Sequence, residues 1–402
     1  MISQNKNSIL TTLVVFFLLF IITSSTTLVA CSGFTIQKDN QVLIAHNKDW
    51  WTPETTIHVY PADEGSYACL FFEIPFPHIF NQDYRVLAGG MNEKGLCYES
   101  FVTPFNPASF DLFKPPLFKN PVDYLLKEYT TVEEVISYLE SHNLFFLNYI
   151  LSYGQLFVAD KSGDAAIIEG DDILRIQDDY QICTNFLQSN PSLGNYPCWR
   201  YDTLDQALSN TTKINNSIAE SLLRTVQLYA QYSWIFNPNK LNLQLYHFHD
   251  FNNVLTINLT QEFDQPAHSY FLPSLFEPEN NTPPKKPQTP TGPVTGTINQ
   301  QYTFHTNTDD ANNPPTEIYY KWNFSDNTEP SWIYNYQPYR GTISHQWKKP
   351  GIYQVTVKAK DIYGKESPWS DPFQIEITLK QNLRSFFHAS SLFKPSSFSL
   401  FC

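Results

Sequence analysis

The stretch "CSGFTIQKDNQVLIAHNKDWW", residues 31–51, decides how the first two thirds of this chain are read. Two apolar runs flank Lys38-Asp39-Asn40, residues suited to a tight turn, so the stretch predicts a pair of short antiparallel strands. A cysteine stands just before the first strand and an aspartate just after the second. What comes before differs in kind. "ILTTLVVFFLLFII" (9–22) is an apolar core of signal-peptide length, preceded by Lys6 and followed by the small and polar run "TSSTTLVA". Residues 1–30 are therefore expected to be a signal peptide, and the chain to be secreted or held at the cell surface. "LVAC" also fits a bacterial lipobox, in which Cys31 would carry a lipid anchor.

Composition narrows the classes of function. With 26 Lys+Arg against 39 Asp+Glu, the net charge is −13, which argues against a nucleic-acid binder because phosphate affinity comes from cations. Aromatic residues make up 16% of the chain, in keeping with a β-rich fold or carbohydrate-facing surfaces. The six cysteines include no Cys-x-x-Cys pair, so no metal site is expected. Outside the cell, Cys69 with Cys97 and Cys183 with Cys198 are possible disulfides; buried free thiols are the alternative. Asn-x-Ser/Thr triplets at Asn210, Asn215, Asn258, Asn280 and Asn323 are compatible with glycosylation of an exported chain.

The chain divides at a proline-dense segment, 279–293, read as a semi-rigid linker. Before it, strand and helix patterns mix. "QLFVADKSGDAAIIEGDD" repeats the hairpin form, "TTVEEVISYLESHN" has a capping box from Thr131 to Glu134 with an apolar stripe behind it, and "SIAESLLRTVQLYAQ" predicts a second helix. "LNLQLYHFHD" and "NVLTINL" return to strands. No Gly-rich phosphate loop and no G-x-S-x-G elbow occurs, which removes the commonest nucleotide-binding and serine-hydrolase readings.

"CSGFTI…LIAHNKDWW", "GGMNEKGL" (89–96), "CTNFLQSNP" (183–191) and "YPCWRYDTL" (196–204) together resemble the choloylglycine hydrolase and penicillin V acylase family of linear amide hydrolases, within the N-terminal nucleophile superfamily. The resemblance covers 31–278. It implies an α+β class with a four-layer αββα sandwich, a small-molecule N-acyl amide as substrate, and no cofactor.

The chemistry is coherent by itself. Cleavage after Ala30 would leave a thiol and a free α-amino group on one residue, with ordinary pKa values of about 8.5 and about 7.7–8.0, so the amine can serve as the thiol's base. The thiolate would attack an amide carbonyl, form a thioester and release an amine; water would then free the acid. Transfer of the acyl group to another amine is the variant reaction. By resemblance, Asp49 orients the amino group, Asn185 helps hold the tetrahedral oxyanion, and Arg200 organises charge. His46 stands where bile-salt and penicillin members carry an arginine. Glu99 and Ser100 occupy the strand from which the family supplies a further oxyanion asparagine. With Trp50, which either lines an acyl pocket with Trp51 or packs in the core, these are the substrate-side candidates. His247 and His249, two apart in "YHFHDF" beside Asp250, are read as strand histidines rather than a metal pair.

Residues 294–379 read as a separate all-β module. "YYKWNFSDN…SHQWKKPGIYQVTVKAKDIYG" resembles polycystic-kidney-disease-type (PKD) immunoglobulin-like domains, with the first turn lacking its glycines. That resemblance implies a spacer or a contact with glycan or protein. The tail, 380–402, has no clear period. The competing reading of the whole chain is a surface lipoprotein or adhesion protein whose first domain is inactive.

Overall fold

The hairpin that opens the chain's first block is built as its sequence predicts. Asp39 and Asn40 both take left-handed φ values, 49° and 61°, the conformation a two-residue turn requires and that Asp and Asn tolerate. They fix the register that runs from Lys38 opposite Gln41 to Ser32 opposite Asn47. The computed structural model describes residues 31–50, 54–76, 84–106, 108–117, 121–143, 154–193, 196–228, 230–312, 317–328, 330, 332–334 and 341–379. The expected signal peptide, the tail and Trp51 lie outside them.

In chain order the first block comprises β1 Ser32–Lys38, β2 Gln41–Asp49, β3 Thr56–Tyr60, β4 Cys69–Phe76, β5 Tyr84–Asn92, β6 Cys97–Val102, α1 Pro121–Glu128, α2 Val132–Glu140, β7 Gly154–Ala159, β8 Ala165–Glu169, β9 Asp172–Arg175, β10 Tyr180–Thr184, α3 Trp199–Ser209, α4 Asn216–Val226, β11 Ala230–Asn237, β12 Asn242–His247, β13 Asp250–Asn258, α5 Leu259–Phe263 and β14 His268–Phe271. The strands make a six-stranded sheet, β10-β1-β2-β11-β12-β13, and an eight-stranded sheet, β14-β3-β4-β5-β6-β7-β8-β9.

Alternation along the strands shows how the layers stack. Val42 and Ile44 on β2, with Tyr232, Trp234 and Phe236 on β11, pack against Leu70, Phe72, Phe101 and Phe157 of the other sheet, forming the core between the sheets. Phe34, Leu43, Ala45 and Ile235 point the other way, onto Leu204 and Leu208 of α3 and Ala219, Leu223 and Val226 of α4. On the outer face of the larger sheet, Phe71, Tyr98, Leu156 and Val158 meet Leu125 and Leu126 of α1 and the α2 stripe Val132, Val135, Ile136 and Leu139. The order is helix, sheet, sheet, helix, the αββα sandwich expected. Thr131 caps α2 with Glu134 bonding back to the cap, as its sequence predicts.

The same parity decides the cysteines. Cys69 faces the helices while Cys97 lies between the sheets, so these two cannot bridge across the larger sheet. Cys31, Cys69, Cys97, Cys183 and Cys198 are all buried free thiols.

The second block adds β15 Thr295–Thr297, β16 Gln301–Thr306, β17 Tyr319–Asn323, β18 Ile333–Tyr334, β19 Gly341–Gln346, β20 Gly351–Lys360 and β21 Phe373–Thr378 around Trp322, Trp347, Phe304 and Val357. Its glycine-poor turn is made instead by Ser325 and Asn327 in left-handed conformations, with the Ser325 amide bonded to the Asn323 side chain. The proline-dense segment does not swing free. Thr291 exchanges backbone bonds with His305 on β16, and Gln288 and Lys285 continue the pairing to Asn307 and Asp309.

The two blocks are docked on each other. Lys360 pairs with Glu54, the Tyr319 hydroxyl donates to Gln231 Oε1 at 3.0 Å, and Lys365 pairs with Glu277 at 2.5 Å. His247 sits between them, its Nδ1 3.2 Å from the Gln231 carbonyl and its Nε2 3.1 Å from the Ile362 carbonyl. His247 and His249 are thus not a metal pair in this arrangement, since both nitrogens of the first face carbonyls. Burial lowers the His247 pKa from 6.5 to about 4. Between these values the unfolded chain binds a proton that the folded chain does not, so stability falls as pH drops through this window and is unaffected above it. The term amounts to roughly 3 kcal/mol at most. His247→Gln is expected to flatten the fall of Tm between these two pH values relative to the unsubstituted chain, measured by thermal unfolding at stepped pH.

Candidate active site

Strands β10, β1 and β2 lie side by side, and their ends deliver the predicted site residues to one place. Cys31 directly precedes β1, Asn185 directly follows β10, and Asp49 ends β2. The Cys31 thiol donates to the Asp49 carbonyl at 3.7 Å. Arg200, in the first turn of α3, is only 6% exposed, which rules out a surface role. Its Nη1 donates to the Cys31 carbonyl at 2.5 Å and its Nη2 to Asn185 Oδ1 at 3.3 Å. Asn185 Nδ2 in turn donates to the Val102 carbonyl at 2.8 Å, across to β6. The guanidinium fork therefore ties the backbone of Cys31 to the side chain of Asn185.

The substrate-side candidates separate into two groups. Glu99 is fully buried between the sheets, with Oε2 accepting from Lys48 Nζ at 3.2 Å and Oε1 from the Trp234 indole at 3.2 Å. His46 Nδ1 lies 3.4 Å from the same Oε1, and its ring packs edge-on against Phe101. Burial, then the charge of Lys48, hold the His46 pKa well below its ordinary value, so the ring is neutral. Ser100 and Trp50 serve the framework instead. The Ser100 hydroxyl donates to the Ala88 carbonyl at 2.7 Å, and the Trp50 indole donates to the Pro75 carbonyl at 2.7 Å from within the core.

Two glycines make this packing possible. A Cβ on Gly33 would stand 3.1 Å from the Phe101 ring and 3.3 Å from His46. Gly89 is opposite Glu99 in the β5–β6 ladder, and a Cβ there would fall 2.1 Å from the carboxylate. Within "GGMNEKGL", then, Gly89 gives Glu99 its place. Asn92 closes the turn by accepting from the Lys94 and Leu96 amides and pins α1 through the Leu126 and Tyr129 carbonyls. The string is scaffold for the site rather than part of its chemistry.

Burial is the largest influence on the thiol of Cys31. It pushes the Cys31 thiol up from 9.0 to about 11; Lys48 opposes this, while Asp49 and Glu99 add to it. With a peptide bond on its nitrogen, Cys31 is a protonated thiol near neutrality. A cleft of about 440 Å³ elsewhere is lined by Ser109, Asp111, Lys114, His142, Asn143 and Asp171 among others, none of them a neighbour of Cys31 named above.

Comparison with known proteins agrees with this construction. Residues 33–220 match the model of the linear amide C-N hydrolases, choloylglycine hydrolase family. Residues 288–371 match the PKD domain model, so the second domain takes in the last part of the proline-dense segment. Among solved structures, the PKD domain of an M14-like peptidase from Thermoplasmatales archaeon SCGC AB-540-F20 is 34% identical over 24% of this chain and 97% of its own, with a TM-score of 0.22. The CARDB domain of a Pyrococcus furiosus protein, solved with di-metal ions, is 10% identical over 26% of this chain and 100% of its own, with a TM-score of 0.18. No curated protein matches the chain. In the first block, sequence reading passed over Lys48, Trp234 and Tyr232. All three are buried, and Lys48 and Trp234 bond Glu99 directly.

Proposed function

We propose that the chain is an exported cysteine amidohydrolase that cleaves the C–N bond of small N-acyl amides, with Cys31 as its amino-terminal residue once residues 1–30 are removed. What supports this most is the Arg200 fork, which holds the carbonyl of Cys31 and the amide of Asn185 together at the mouth of β1. A structural cysteine would need neither partner.

In the proposed cycle the α-amine of Cys31 takes the thiol proton, and the sulfur forms a bond to the substrate carbonyl carbon. The oxyanion is met by the Asn185 amide. Collapse breaks the C–N bond, and the ammonium returns its proton to the departing nitrogen. Water then gives a proton to the same amine and its oxygen to the thioester carbon; the C–S bond breaks and the thiolate is reprotonated. Asp49, buried beside the thiol, keeps the ammonium oriented through these transfers.

The mass of the mature amino-terminal peptide tests the reading. A free Cys31 at the start of the chain is expected, with hydrolysis of an acyl-amide panel by the same preparation. A diacylglyceryl or N-acyl adduct on Cys31 removes both thiol and base, and with it this function; the lipoprotein reading then stands.

A further inference from the structure

Beyond the residues the resemblance supplies, the space between the sheets holds a charge pair facing the nucleophile. In the β1–β2 register Ser32 is opposite Asn47, so the next position outward sets Lys48 opposite Cys31. Directly opposed residues of an antiparallel pair point to the same face. That face is the one between the sheets, since Cys31 belongs to the inter-sheet core and the Lys48 ammonium reaches across to Glu99 and the Ser100 carbonyl, at 3.2 and 2.9 Å, on β6. Lys48 is 2% exposed and Glu99 not at all. Burying such a pair is unfavourable unless its hydrogen bonds are filled, and here Trp234 fills a bond on the carboxylate while Gly89 clears room for it.

We propose that Lys48 is the active-site cation of this enzyme, a positioning residue that holds the Cys31 sulfur as a thiolate, and that Glu99 fixes the ammonium in place. The inference rests on Cys31 being the nucleophile. The groups around the sulfur leave this task to Lys48. His46, on the same face of β2, is neutral. Arg200 spends its fork on the Cys31 carbonyl and Asn185. Asp49 and Glu99 work against a negative charge on the sulfur, burial raising the Glu99 pKa while Lys48 opposes that rise, and Cys183 and Tyr232 are uncharged neighbours whose own ionisation burial opposes. An ammonium has three donors; two are used on β6, and the third is the one this assignment gives to the sulfur and, later, to the thioester oxygen.

The test is the pH dependence of Cys31 alkylation by iodoacetamide in the mature full chain, followed by peptide mass so that the five other cysteines are not counted. Lys48→Met is expected to move the midpoint up by about one unit, a drop of about tenfold in rate at neutral pH. Lys48→Arg is expected to restore most of the shift. Glu99→Gln removes a negative charge and is expected to move the midpoint down, the opposite sign, which a loss of packing common to both variants does not produce. An unmoved midpoint in a folded Lys48→Met overturns the proposal. Where Lys48→Met does not fold, Lys48→Gln is measured in its place, and an unmoved midpoint there overturns the proposal. Failure of the nucleophile reading looks different: Cys31 then alkylates in all variants while the unsubstituted chain hydrolyses no amide.

Discussion

Cys31→Ala is expected to reduce amide hydrolysis by about 10⁴-fold or more while leaving the chain folded, because no other group can form the thioester. The structural cost is small. Cys31 is 1% exposed and packs as a small apolar side chain, its thiol making one long bond to the Asp49 carbonyl, so losing the sulfur destabilises by about 1 kcal/mol. Far-ultraviolet circular dichroism and Tm close to those of the unsubstituted chain, with turnover lost, are the expected pair of results. Turnover that survives the substitution removes Cys31 from the mechanism. The same variant separates two routes of processing. A lipoprotein pathway needs the cysteine sulfur, so Cys31→Ala would stay uncut, whereas an ordinary signal peptidase accepts alanine after Ala30 and trims an inactive protein.

Much of the scaffold was legible because local rules and tertiary structure agree there. The Asp39-Asn40 turn, the Thr131–Glu134 box and the period-two runs of both domains each specify an element without help from distant residues. The turn alone also fixes the β1–β2 register, since 39 + 40 = 31 + 48, and so places Lys48 opposite Cys31. That inference was available from the hairpin but not its meaning, because the partner of Lys48 arrives on β6 from the other sheet. Glu99 illustrates the general limit. Its carboxylate reads from sequence as a substrate-side candidate, yet it is buried and enclosed by Lys48, Trp234 and Gly89, contributed by three other strands. Pairing over 51 and 135 residues of separation leaves no local pattern to read. The docking of the second domain was hidden for the same reason. Lys360 and Tyr319 look like ordinary strand residues until Glu54 and Gln231 are brought against them.

Arg200→Ala is expected to lower kcat by about 10² to 10³-fold, a loss of the size found when one oxyanion donor is removed, with a much smaller change in KM. The argument runs through Asn185. Arg200 accounts for a bond to Asn185 Oδ1, and Val102 receives one from Nδ2, so the amide plane is held from both ends. Removing the guanidinium releases one end and strips the Cys31 carbonyl of its donor, which costs about 2 kcal/mol of stability as well. Lysine cannot replace the fork, because a single ammonium does not span a backbone carbonyl and a side-chain oxygen in one plane; Arg200→Lys is expected to recover stability and little rate. If Arg200 acts by holding Asn185, then Asn185→Ala should show a similar loss and the double variant should be barely slower than either, because both delete the same transition-state contact. Strictly additive losses in that cycle would mean that Arg200 acts on the substrate directly, through its charge, rather than through the amide it holds.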